Sequence, residues 1–147
     1  MDAKQYMDEI VDPTISEFAA NRASRRHAFL ACVVTFHTID YFMYPEKPGN
    51  QRKSFRNESR DFAQVDRVAH AFKHVQSGHD KSQDRPSLNV DDIRRRPPGA
   101  IGEFEIEVSR IGDEIGGVTL LKNLDVDLLD VVKNAAEYLR GKIGEAG

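Results

Sequence analysis

DFAQVDRVAHAFKHVQSG, residues 61–78, decides how this chain folds, because its apolar and polar side chains separate at helical spacing. At about 100° per residue, Phe62, Val65, Val68, Ala69, Phe72 and Val75 share one broad face, while Arg67, His70 and His74 gather nearly opposite. Asp66 lies one turn before His70, so Asp66, His70 and His74 form an i, i+4, i+8 ladder. The plain reading is a helix that buries one face and shows the other to water. The ladder becomes a site only if another element covers it.

The element expected to cover it is residues 25–44, RRHAFLACVVTFHTIDYFMY. Its apolar side chains run all the way round the helix, which places it in the middle of a bundle. Buried there, its few polar groups need partners, since an unpaired buried polar group costs about 1–3 kcal/mol. His37, Asp40, Tyr41 and Tyr44 fall within roughly 100° of one another, and the Arg67, His70, His74 stripe is where their partners are expected.

Working outward, residues 2–11 read as a short opening helix, and Asp12 followed by Pro13 as the start of a second. Ser24 is placed to cap the helix of residues 25–44. Residues 45–59, PEKPGNQRKSFRNES, read as a polar, basic loop, with Ser59 or Asn57 capping the next helix. Gly78 reads as that helix's stop, and residues 79–100 as a long hydrophilic connection. Residues 102–111 alternate Phe104, Ile106 and Val108 with glutamates, the pattern of a half-buried strand. Residues 118–121 are its expected return strand. Asp125 or Asp127 then caps an amphipathic helix over residues 126–142.

The expected architecture is therefore mainly α: one domain over residues 1–147, with a helical bundle (1–78), a loop (79–100), and a C-terminal β-hairpin with a closing helix (101–147). At 147 residues and 39% hydrophobic content, one core is the sensible expectation. A net charge of -3 argues against a general nucleic-acid coat protein. The basic clusters Arg25–Arg26, Arg52–Lys53 with Arg56, and Arg94–Arg96 read as solvated loops able to touch phosphate. Cys32 is the chain's one cysteine, so neither an internal disulfide nor a multi-cysteine metal site is available. Acidic residues stand where a leader peptide needs basic ones, and the longest apolar run is too short to span a bilayer. A cytoplasmic protein, not bound to membrane, is expected.

Three chemistries compete for the polar residues. Arg67, six intervening residues and His74 match an Arg-x(4–6)-His pattern, and in this the chain resembles the HEPN superfamily of small bacterial helical-bundle proteins. The resemblance implies an RNA-directed site in which Arg67 neutralises charge on the phosphate and His74, with His70 beside it, handles the 2′-hydroxyl proton. Arg22 and His27 give a second match, and Val68 departs from the polar residue the family favours after its arginine. The FAQVDRVAHAFKH run is also similar to small uncharacterised bacterial proteins with an "NA-x-KH"-like helix, which implies no function. A metal centre is the second chemistry: Asp66, His70 and His74 on one helix with His37 and Asp40 on the other would suit zinc or iron. In the third, the same groups form a buried network that fixes helix register, and function lies in association with a protein partner or as a homodimer.

Overall fold

Helix formation begins at Asp2, whose carboxylate accepts the Gln5 N–H at 2.8 Å while the Gln5 side chain accepts the Asp2 N–H at 3.0 Å. This reciprocal cap satisfies two donors that the first turn leaves open. The computed structural model describes residues 1–78, 87–99, 105–106, 109, 111–121 and 126–146. Their architecture is mainly helical, with two small antiparallel strand pairs and a C-terminal helix.

Helix α1 (Ala3–Tyr6) runs through a π-helical turn, Met7–Val11, into α2 (Asp12–Ala20). The wide turn has a local cause. Pro13 lacks an N–H, and in a regular helix its ring presses on the carbonyl four residues back; here the Asp12 N–H reaches Met7 instead. Ser24 caps α3 (Arg25–Met43), its hydroxyl accepting the His27 N–H at 3.3 Å.

Helix α3 is not surrounded on all sides, contrary to its composition. Ala28, Ala31, Cys32, Thr35, Thr38 and Ile39 are its buried residues, whereas Phe29, Val33, Val34, Phe36, Phe42 and Met43 are partly exposed. Mostly small side chains point inward, which lets neighbouring helices approach closely, and the larger ones spread around the edges of that contact. Burial pushes the Cys32 thiol up to about 12, so it behaves as a small apolar residue and not as a nucleophile.

Residues 45–59 do not form a loop throughout. They contain helix α4 (Gly49–Glu58), whose one buried residue is Phe55. Ser59 then serves both neighbours, ending α4 and capping α5 (Arg60–His74) by accepting the Phe62 N–H at 3.1 Å. Helix α5 buries Phe62, Val65, Val68 and Ala69, the face read from its periodicity. Phe62 meets Phe55 and Tyr138 edge-on or tilted, at centroid distances of 5.7 and 6.4 Å. Full burial of a side chain this size stabilises by about 1.5–3 kcal/mol, and such ring pairs add to it. The stop of α5 is not Gly78 but Val75, which holds φ 69°, a strained choice for a β-branched residue.

Past the helix, β1 (Gln76–Ser77) pairs antiparallel with β2 (Leu88–Asn89), and β3 (Ile93–Arg96) with β4 (Gly117–Leu120). The expected return strand over residues 118–121 is thus present in β4, but its partner comes from within residues 79–100, through the register Ile93 opposite Leu120. Much of the expected strand over residues 102–111 lies outside the described residues. The described Glu105, Ile106, Ser109 and Ile111 are not in a strand, and the Ser109 N–H turns back to the Glu105 carbonyl at 2.9 Å. Helix α6 (Leu128–Ala146) is capped by Asp127, whose carboxylate accepts the Leu129 N–H at 3.0 Å. Among the described residues no helix is long and apolar enough to cross a membrane.

Surface clasps tie α6 to the rest. Arg140 pairs with Asp8 and Asp12, and Glu58 accepts from Lys142 at 2.8 Å, Ser54 at 2.7 Å and Tyr138 at 2.9 Å. The Lys142 ammonium, then the two hydroxyls, hold the Glu58 carboxyl down from 4.5 to about 2. Because the folded pKa is depressed, this clasp contributes fully above the unfolded pKa and is lost as pH falls toward about 2. In urea titrations from pH 6 down to pH 2, Glu58→Gln should lose less stability on acidification than the parent. Parallel curves would show that the clasp adds nothing.

Candidate functional site

Each helix brings a different part of the site. Ser59 turns the chain sharply enough that α4 lies along the polar face of α5, and Phe55, buried against Phe62, fixes its rotation. Arg52 and Arg56, three residues before and one after Phe55, then meet Asp66. Arg52 donates from Nε to one Asp66 oxygen at 3.0 Å and from Nη2 to the other at 2.6 Å. Arg56 adds a third bond from Nη1 at 3.1 Å. The Asp66 side chain is only 4% exposed, so this fork supplies the counter-charge that a buried carboxylate requires.

His70 completes the node. Its Nδ1 lies 2.8 Å from the Asp66 carbonyl and 2.9 Å from the Asp66 carboxylate, and its Nε2 lies 3.3 Å from Arg52 Nη2. A guanidinium only donates, so Nε2 accepts and Nδ1 carries the proton. Both ring nitrogens are thereby occupied. His70 is placed to hold register and not to move a proton or ligate a metal.

The other residues of the stripe face an open cleft of about 610 Å³ between α4 and α5, which Arg52, Lys53, Arg56, Arg67, His70 and His74 line together with β1 and Gly78. Arg67 is half-buried, donates to Gln64 at 2.9 Å, and has its pKa lowered by burial. His74 is exposed, its ring 6.1 Å from that of His70. Among the described residues Asp66 is the cleft's one acidic lining residue, against four guanidinium or ammonium groups. In a chain with a net charge of -3, this is a strong local inversion of sign.

The expected centre shared between α3 and α5 is not formed. His37 bonds to Asp40 of its own helix at 2.6 Å, with side chains 42% and 47% exposed. A partner one turn away on the same helix forms without any docking, and α3 turns this pair outward. His37 does approach His70, but only as the opposite wall of a small slot. The metal centre built from His37, Asp40, Asp66, His70 and His74 is likewise not assembled, and among the described residues no group of three or more His, Cys, Asp or Glu is placed to hold an ion. Two arginines already take the carboxylate that would have anchored it.

What sequence reading missed is α4. Arg52 and Lys53 with Arg56 were visible as a basic cluster, but the spacing of Arg52, Phe55 and Arg56 also places them on one side of a helix, and that signal could have been found. Comparison of the chain with protein-family models, curated proteins and solved structures found no match.

Proposed function

We propose that the α4–α5 cleft binds the phosphate backbone of RNA, with Arg67 and Lys53 meeting phosphate oxygens and His74 placed to exchange a proton with a 2′-hydroxyl. The observation that carries this reading is the composition of the cleft: four permanent cations and, among the described residues, one carboxylate, which bonds to Arg52 and Arg56. Such a surface attracts polyanions and releases their counterions on binding. The node of Asp66, Arg52, Arg56 and His70 acts as its frame, holding α4 against α5. Among the histidines of the cleft, His74 is then the acid/base and His70 a positioning residue. The resemblance to HEPN proteins in the spacing of Arg67 and His74 agrees with this division.

Fluorescence anisotropy with a labelled structured RNA in EDTA tests it. Arg67→Ala should weaken binding and reduce the slope of log K against log salt by about one, the signature of one phosphate contact removed. His74→Ala should leave binding near the parent's and abolish cleavage of the same RNA. Equal affinity and equal slope for the parent and Arg67→Ala would remove the reading.

A further inference from the structure

The slot beside the cleft has a different character. Phe29, Val33 and Phe36 of α3 form one wall, Ala69, His70 and Lys73 of α5 the other, and the space between them is about 130 Å³, with His37 at its edge. That volume corresponds to on the order of four water molecules, room for one six-membered ring. Ring contacts tie its two helices together, and Phe36 meets His70 edge-on at 5.0 Å. Phe29 packs on Phe72 at 4.8 Å, and Phe36 on Phe62 at 6.5 Å.

Two side chains join this slot to the basic cleft. His70 lines both. Arg52, which grips Asp66 on the cleft side, also holds its guanidinium carbon 5.1 Å from the centre of the Phe36 ring. An apolar, aromatic-walled slot therefore opens directly beside a phosphate-attracting cleft, with a single imidazole between them.

We infer that the slot takes one unpaired nucleobase of the strand whose phosphates occupy the cleft, which makes this a site for single-stranded RNA. The inference rests on the reading of the cleft given above. The chemistry is complementary at both ends: a flat, weakly polar ring against the aromatic wall of Phe29 and Phe36, and an anionic phosphate among arginines. A base paired in a duplex cannot enter, because its ring is stacked between neighbours and its edge is engaged. With room for one six-membered ring, the slot suits a pyrimidine over the fused rings of a purine and holds it by its π face.

The test compares three labelled probes on the full chain: a short oligouridylate, an abasic ribose-phosphate strand of equal length, and a duplex RNA. The abasic strand and the duplex should each bind about tenfold more weakly than the oligouridylate, within the range that one stacked base supplies. Val33→Phe, which fills the slot from its partly exposed wall, should bring the oligouridylate down to the abasic level while leaving abasic binding unchanged; circular dichroism confirms that the variant folds. If all three probes bind alike and Arg67→Ala weakens them alike, the slot is overturned and the cleft stands. If no probe binds, the cleft reading fails and this inference falls with it.

Discussion

Asp66→Ala is expected to lower the free energy of unfolding by about 3 kcal/mol, at the low end of what removing one partner of a buried ion pair costs. The loss exceeds that of a surface salt bridge, usually under about 1 kcal/mol, because three separate donors lose one acceptor together. Arg52 loses both arms of its fork, Arg56 its bond, and His70 its carboxylate contact. The low end applies because the cationic partners can relax outward: Arg52 and His70 are each 28% exposed and Arg56 18%. Asp66→Asn keeps the shape and one acceptor, so it should fall between the parent and the alanine variant. Urea unfolding of the three proteins measures the series, and a double-mutant cycle with Arg52→Ala isolates the pair. A loss below about 1 kcal/mol for Asp66→Ala would mean that solvent already screens the node.

Arg96→Met is the mirror case, a buried cation removed from between two carboxylates. The Arg96 side chain is 4% exposed and donates from Nε to Asp113 at 2.8 Å and from Nη2 to Asp127 at 3.0 Å. Gly117 leaves room for this pair, since a Cβ there would lie 2.9 Å from Arg96 Nη2 and 3.1 Å from the Asp127 carboxylate. The pairing ties β3 to the cap of α6 and to the turn before β4, so its removal should cost about 3 kcal/mol. Asp127 keeps Arg22 at 3.3 Å, and Asp113 keeps the Gly116 N–H at 2.9 Å, which limits the loss.

The same variant should change the acid limb of stability. Burial alone would raise the Asp113 pKa, but the Gly116 N–H and the Arg96 guanidinium outweigh it and hold the carboxyl below its ordinary range. A depressed folded pKa gives stability that is complete above the unfolded carboxyl value, near 3.9, and is lost as pH falls through the folded one. Without Arg96 the depression shrinks, and so does the stability lost below about pH 4. Chemical denaturation at pH 7 and pH 3 checks both effects. An unfolding free energy at pH 7 within about 0.5 kcal/mol of the parent, the range of ordinary surface changes, would show that the buried pair only balances its own desolvation.

Local chemistry was legible in the residue order wherever the deciding forces act within a few turns. The 3.6-residue spacing of Phe62, Val65, Val68 and Ala69 determined which face of α5 is buried, and Ser24, Ser59 and Asp127 are caps whose oxygens meet N–H groups two or three residues on. The site residues Arg67, His70 and His74 were likewise visible as one stripe, because a helix puts them there.

Which charges meet was decided only by tertiary structure. Helix α4 buries one apolar side chain, so the spacing of Arg52, Phe55 and Arg56 marks a shared face but not what that face meets, and its arginines read as solvated until Phe55 docks beside Phe62. Arg96 sits in a run of three arginines and looks no different from Arg94, yet opposite Gly117 it is buried against Asp113 and Asp127, while Arg94, on the same strand face, stays exposed. The polar face of α5 meets arginines of α4 and not the polar groups of α3, and the partner of β4 lies before residue 100 and not over residues 102–111. The physical reason is the same in each case. Periodicity and capping are set by neighbours in sequence, whereas an ion pair or a strand pair depends on which distant surface arrives, and the relief of burying a charge with its counterpart selects among those arrivals.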